Sequence, residues 1–153
     1  MEIGSRGLPL VPGYGIVKNV GVKVIDLETD PLGFFRTKRQ EDKKIITLGE
    51  VLEQIGDQPV CGASILVDLL KQPNHIPPNF REMRFNIYFL GTVYRSPRQE
   101  PCVRYLGRYG EHFEDRFSTL DEFMGEDDYF ACREKDLETI TLAIQFSSVR
   151  LSA

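Results

Sequence analysis

The chain has little of the chemistry that most often announces a function. Its 153 residues hold two histidines and three cysteines. No two of these stand at zinc-finger or zincin spacing. An odd number of cysteines without paired spacing argues against a disulfide framework and for a reducing compartment. A P-loop and a strand–GxGxxG–helix unit are both missing, so nucleotide binding has no support. Gly13-Tyr14-Gly15 is too short for either and precedes an extended segment. No apolar run approaches the roughly 20 residues of a membrane span. The N-terminus lacks a basic segment followed by an apolar run, so no signal peptide is expected. Nothing repeats at a fixed period. The expected location is cytoplasmic, with no membrane association.

What is present is ordinary for a globular domain. Apolar residues make up 41% and charged residues 27%, with a net charge of −4. A chain of this size buries roughly 68–70% of its unfolded surface, enough for one core without staples. The glycines and prolines of residues 1–15 suggest a flexible or surface-extended arm. Residues 16–153 are expected to form a single α+β domain.

Alternation places the centre of that domain at residues 83–118. Phe85, Ile87, Phe89 and Val93 fall on one face of an extended segment. Arg84, Asn86, Tyr88, Thr92 and Tyr94 fall on the other. A turn at Tyr109-Gly110 then joins two further antiparallel strands. If two residues close it, Arg108 faces Glu111, Leu106 faces Phe113, Arg104 faces Asp115 and Cys102 faces Phe117. Opposite charges and apolar groups then match, each pair contributing roughly 0.2–1 kcal/mol.

Thr47 and Glu50 form a capping box ahead of Leu48, Val51, Leu52 and Ile55, which predicts a helix over 47–55 stopped by Gly56. A second helix is predicted from about Val60 or Gly62 to Lys71, ended by Gln72-Pro73. Ile16–Leu27 reads as a strand with Val20, Val22 and Val24 on one face. The charges of 34–46 read as a solvated hairpin or loop. Glu138–Phe146 reads as a final strand, with Ile140, Leu142, Ile144 and Phe146 on one side. The expected fold is therefore α+β: an antiparallel sheet with the two helices packed on one face.

Ile76-Pro77, the run Leu90-Gly91-Thr92-Val93-Tyr94-Arg95, the run Cys102-Val103-Arg104-Tyr105-Leu106, Gly110, Asp127-Asp128 and Ala131 resemble a recurring block of small bacterial proteins. The resemblance spans about residues 76–131. The family pattern is rich in Trp, which this chain lacks; Phe80 and Phe113 stand at two of those positions. The resemblance implies no activity.

Three functional readings follow from the residues. The leading one is a non-catalytic protein-interaction module, in a bacterial or phage cytoplasm, with a protein partner or self-association. Arg and Tyr are enriched at interfaces. A basic stretch, with six Arg against two Glu in 81–108, adjoins an acidic one, with eleven acids against three bases in 109–138. The alternative is a cysteine-dependent hydrolase. Cys61 sits near a predicted helix start, where a thiol pKa falls, and His112 would serve as base with Glu114 or Asp115 orienting it. Papain-like peptidases begin a helix with Cys-Gly in this way, although Cys61 lacks the aromatic and second Cys of that motif. The third reading is single-stranded nucleic-acid binding on a sheet face bearing Arg84, Tyr88, Tyr94, Arg104, Tyr105 and Arg108. The Glu126-Asp127-Asp128 run lacks EF-hand spacing and is expected to be a solvated loop. No metal site and no cofactor are expected.

Overall fold

The computed structural model describes residues 2–82 and 84–152. The fold is α+β. In chain order its elements are β1 (Glu2–Ile3), β2 (Gly15–Asn19), β3 (Ile25–Asp26), β4 (Leu32–Phe35), α1 (Lys38–Glu41), α2 (Leu48–Ile55), α3 (Ala63–Lys71), α4 (Pro78–Glu82), β5 (Asn86–Tyr88), β6 (Thr92–Arg95), β7 (Pro101–Tyr109), β8 (His112–Thr119), β9 (Asp128–Arg133) and α5 (Leu137–Ser152). β1 and β3 pair with each other. Among the described residues, the other seven strands form one mostly antiparallel sheet, in which β5 and β9 run parallel.

The helices do not share one face of that sheet, contrary to the expectation. α3 packs with Ile87, Phe89, Leu106 and Ala131 on one side. α2 and α5 pack with Tyr88, Leu90, Val103 and Phe130 on the other. The central strands are therefore buried on both faces, and Ile87 to Leu90 are all at most 5% exposed. Period-two alternation marks a strand with one wet face, so its polar-side assignment does not apply here.

The long strand expected over 83–95 is also broken. β5 and β6 both pair with β7, but residues 89–91 interrupt them. The interruption reverses the alternation. Val93 joins the α2 side, whereas Tyr94 joins Cys102 in a cluster with Ala63 of α3.

Into this gap comes Val60-Cys61-Gly62. Val20 N–H donates to Gly91 O at 2.8 Å, Gly91 N–H to Cys61 O at 2.9 Å, and Cys61 N–H to Ala131 O at 3.0 Å. Val22 N–H donates to Val60 O at 2.9 Å and Gly62 N–H to Val22 O at 2.8 Å. Four separate segments thus share one backbone node. Close approach demands glycine: a Cβ on Gly91 would lie 2.7 Å from Val20 O and 2.9 Å from Gly62 N. α3 starts at this node without a side-chain cap of its own. Thr92 Oγ1 instead accepts from Ala63 N–H and donates to Asn19 Oδ1, both at 2.9 Å. A strand residue far away in sequence thereby satisfies one orphan donor of the helix.

The hairpin β7–β8 turns at Gly110-Glu111, one residue later than expected. Gly110 (φ +67°) takes the first central position, where a II′ turn wants glycine. Tyr109 faces His112, Leu106 faces Asp115 and Arg104 faces Phe117. The register is two residues away from the expected one, so side chains keep their faces. Arg104 still bonds Asp115, now diagonally, at 2.6 Å.

Other elements depart from expectation for related reasons. Ile16–Leu27 is not one strand. Gly21 (φ +78°) breaks it, leaving Val22 buried but Val20 and Val24 exposed. Residues 38–41 form a short helix capped by Thr37 and Gln40, not a loop. Glu138–Phe146 lies in α5, not in a strand. Ile140 and Ile144 are four apart and both buried, a spacing that suits a helix as well as a strand. The acidic stretch contains β9, whose Phe130, Ala131 and Cys132 are fully buried. The arm before β2 is tied down at its start: Ile3 is 1% exposed, and Gly4 N–H donates to Asp68 Oδ2 at 2.6 Å.

α2 and α3 do form as predicted. Both halves of the Thr47–Glu50 capping box are present, and Gly56 follows α2 with φ +51°. Burying Leu48, Val51 and Ile55 contributes roughly 1.5–3 kcal/mol each.

Candidate functional site

Cys61 is fully buried in the α3-side core, at the backbone node. Burial pushes its thiol pKa up, with Cys132 nearby adding to the rise. A thiolate nucleophile needs the opposite shift. Gly62, not Cys61, is the N-cap of α3, and the Cys61 N–H is already used by Ala131. His112 lies at the exposed end of the β7–β8 hairpin, bonded to Glu114 Oε1 at 2.9 Å. It has no hydrogen bond to Cys61, and no pocket described below contains either residue.

The Arg/Tyr set is not on one face. Tyr94 is 1% exposed and Tyr88 5% exposed, so neither offers a ring for base stacking. Tyr88 stacks on Tyr105 at 4.7 Å on the α2 side. Arg104 lies on the opposite side, ion-paired with Asp115 and 3.4 Å from Tyr94 Oη. Arg108 donates to the carbonyls of Gly110 and Arg81. Arg84 is exposed, just before β5. Only part of the expected basic face is thus open to a phosphate.

The acidic loop is held by its own backbone and by side chains of neighbouring elements, with Arg36 donating to Glu126 O and Gln40 to Gly125 O and Asp128 O. Asp128 accepts from Asn86 Nδ2 at 3.0 Å and from Gly125 N–H at 2.7 Å. Glu126 pairs with Lys43 at 3.6 Å. Among the described residues, no three potential ligands cluster to hold a metal ion. None of the described helices is long and apolar enough to cross a membrane.

A different surface stands out. β2 ends the sheet and, among the described residues, pairs only with β6. Its outer edge exposes unpaired backbone groups, which are a template for another strand. Natural edges are blunted by charges and proline, yet β2 (GIVKN) has only Lys18 and no proline. A bulge between Ile16 and Lys18 lets Ile16 and Val17 stay 45% and 50% exposed. Among the described residues, Leu10, Ile16, Val17, Val20 and Val24 are exposed large apolar side chains, all within residues 10–24.

Beside this edge, on the α2 side of the sheet, is a groove of about 370 Å³. Val20, Leu52, Ile55, Val60, Leu90, Val93 and Leu120 form its apolar walls. It exists because α2 stops at Gly56 and does not cover the β2–β6 edge. Lys18, Asp57 and Gln58 supply its polar rim. A second hollow of about 410 Å³ lies beyond the stacked rings of Tyr14 and Phe117, against the 96–100 loop.

No family model, no curated protein and no solved structure matches this chain. The groove is not legible in the sequence because it joins β2 and residues 20–21, α2 and residues 56–60, residues 90–91 and β6, and Leu120, which lie far apart along the chain. In the sequence its signal is the apolar run over 16–24, which reads as one strand with Val20, Val22 and Val24 on one face.

Proposed function

We propose that the protein is a non-catalytic interaction module that recognises another protein through the β2 edge and the adjoining groove. One observation carries the reading: an unpaired edge strand, an exposed apolar run and an apolar hollow coincide at one place. Exposed apolar surface that continues into a groove is the mark of a docking site. Edge strands are a common means of peptide recognition, with ladder bonds giving affinity and pockets giving choice. The high thiol pKa of buried Cys61 gives the hydrolase reading no comparable support.

The test is affinity capture from lysate of the source cells by the wild-type chain and two surface variants. Val20→Lys places a charge at the groove, while Leu142→Lys alters an exposed position on α5. Proteins captured by wild type and Leu142→Lys but lost with Val20→Lys are the expected result. Equal capture by all three chains would remove this surface from consideration.

A further inference from the structure

The groove has features that narrow the kind of partner. Lys18 and Asp57 both stand on its rim, and no ion pair joins either of them to another described side chain. Asp57 follows Gly56, the C-cap of α2, and the last turn of that helix carries no basic residue. The carbonyl end of a helix favours a cation, and Asp57 adds to that field. Lys18 offers the opposite charge from β2. The walls between are apolar, and a volume of about 370 Å³ suits one or two large apolar side chains.

Resting on the interaction reading above, we propose that the groove takes an extended peptide segment of a partner protein. The segment adds as a strand to the outer edge of β2. It places an apolar side chain among Val20, Leu52, Val93 and Leu120, with an acidic residue beside Lys18 and a basic residue beside Asp57.

A second copy of this chain is a poorer occupant. The surface is concave, so an isologous contact would set hollow against hollow and leave a void. A stable dimer also needs about 800 Å² from each partner, some 20–30 residues a side. β2 has five residues, and the groove draws on only part of its surroundings. An extended peptide gains ladder bonds along β2 and also fills the hollow with a side chain, which the concave surface of a second copy does not supply.

The probe is a random short-peptide display library panned against the full chain and against Lys18→Glu, Asp57→Lys and Val20→Asp. These exposed substitutions leave the core untouched, and circular dichroism checks each fold. The wild-type chain is expected to select peptides with an apolar residue flanked by one acid and one base. Lys18→Glu should lose the acid from that consensus, and Asp57→Lys the base. A peptide selected on wild type should bind Val20→Asp about tenfold or more weakly. Identical consensus sequences from the wild-type and charge-reversed chains would overturn the proposal. So would a dimer by light scattering in which the β2 amides that point away from β6 are protected from exchange without peptide, which assigns the edge to a second copy. Identical consensus sequences beside lysate capture that depends on Val20 leave the interaction reading in place; the dimer result, or loss of that dependence, removes both.

Discussion

Gly91→Ala is the substitution that most directly tests the architecture. Gly91 lies where the broken strand β5/β6, the 60–62 segment and the end of β2 meet. An added Cβ would lie 2.7 Å from Val20 O, 2.9 Å from Gly62 N and 3.0 Å from Cys61 C. All three are backbone atoms, so none can swing aside. Overpacking of this kind costs about 1–3 kcal/mol. The shift also strains the bonds from Val20 N–H to Gly91 O and from Gly91 N–H to Cys61 O, each contributing about 0.5–1.5 kcal/mol. The sum is about 4 kcal/mol, a large part of the roughly 5–15 kcal/mol that holds a domain folded. With a urea slope of about 2 kcal/mol/M, the midpoint should fall by roughly 2 M. Two other glycines give the scale. Gly15 has nothing within 4 Å and no positive φ, so Gly15→Ala should change stability by at most about 0.5 kcal/mol. A Cβ on Gly62 would lie 3.0 Å from the Thr92 hydroxyl, with Asn19 Oδ1 and Val22 O in ordinary contact at 3.6 Å, so Gly62→Ala should cost an intermediate amount. Urea unfolding followed by tyrosine fluorescence ranks the three. If Gly91→Ala unfolds within 1 kcal/mol of Gly15→Ala, the four-segment node is not as described.

Three further outcomes are expected. Thr92→Val keeps the volume but leaves Ala63 N–H and Asn19 Oδ1 without the Thr92 hydroxyl; it should destabilise by about 1–3 kcal/mol, and an unchanged thermal midpoint would exclude the remote cap. The Thr47 backbone N–H holds the Glu50 pKa below the ordinary carboxylate range. A depressed folded pKa gives stability that is present above the unfolded value of about 4.3 and lost as pH falls through the folded one. Glu50→Gln, which can still cap, should flatten that part of the acid limb in urea titrations between about pH 7 and pH 3; parallel curves for the two chains would contradict the assignment. With Cys102 and Cys132 replaced by Ser, Cys61 should be alkylated only as fast as the chain opens, since burial raises its pKa and closes access. Rapid modification near pH 6, abolished by His112→Ala, would restore the hydrolase reading.

Much of the local structure was legible because its causes are local. The Thr47–Glu50 capping box, the apolar spacing of Leu48, Val51 and Ile55, and the Gly56 stop all act within one helix. The same holds for α3. In the β7–β8 hairpin the faces were readable from alternation and charge. The turn position was not, because registers two residues apart give the same faces. The pairing of Tyr109 with His112, which puts Gly110 at the first turn position, separates them.

What only the tertiary structure decided lies between elements. Ile140 and Ile144 fit period two and period 3.6 alike, and packing against α2 makes that segment a helix. Phe130 to Cys132 sit in an acidic stretch, yet their neighbours β4 and β5 draw them into the sheet. Tyr88 and Tyr94 look like surface rings in a strand pattern. They become core residues because helices cover both faces and the Gly91 break sends Tyr94 to the α3 side. Cys61 stands near a helix start in the sequence, and the fold buries it completely at the node, where its backbone links Gly91 and Ala131. The groove beside β2 exists only because α2 ends short of the sheet edge. Periodicity and capping are properties of neighbouring residues, so the sequence alone carries them. Burial on a second face, strand neighbours and hollows depend on distant segments meeting, and only the folded chain determines those.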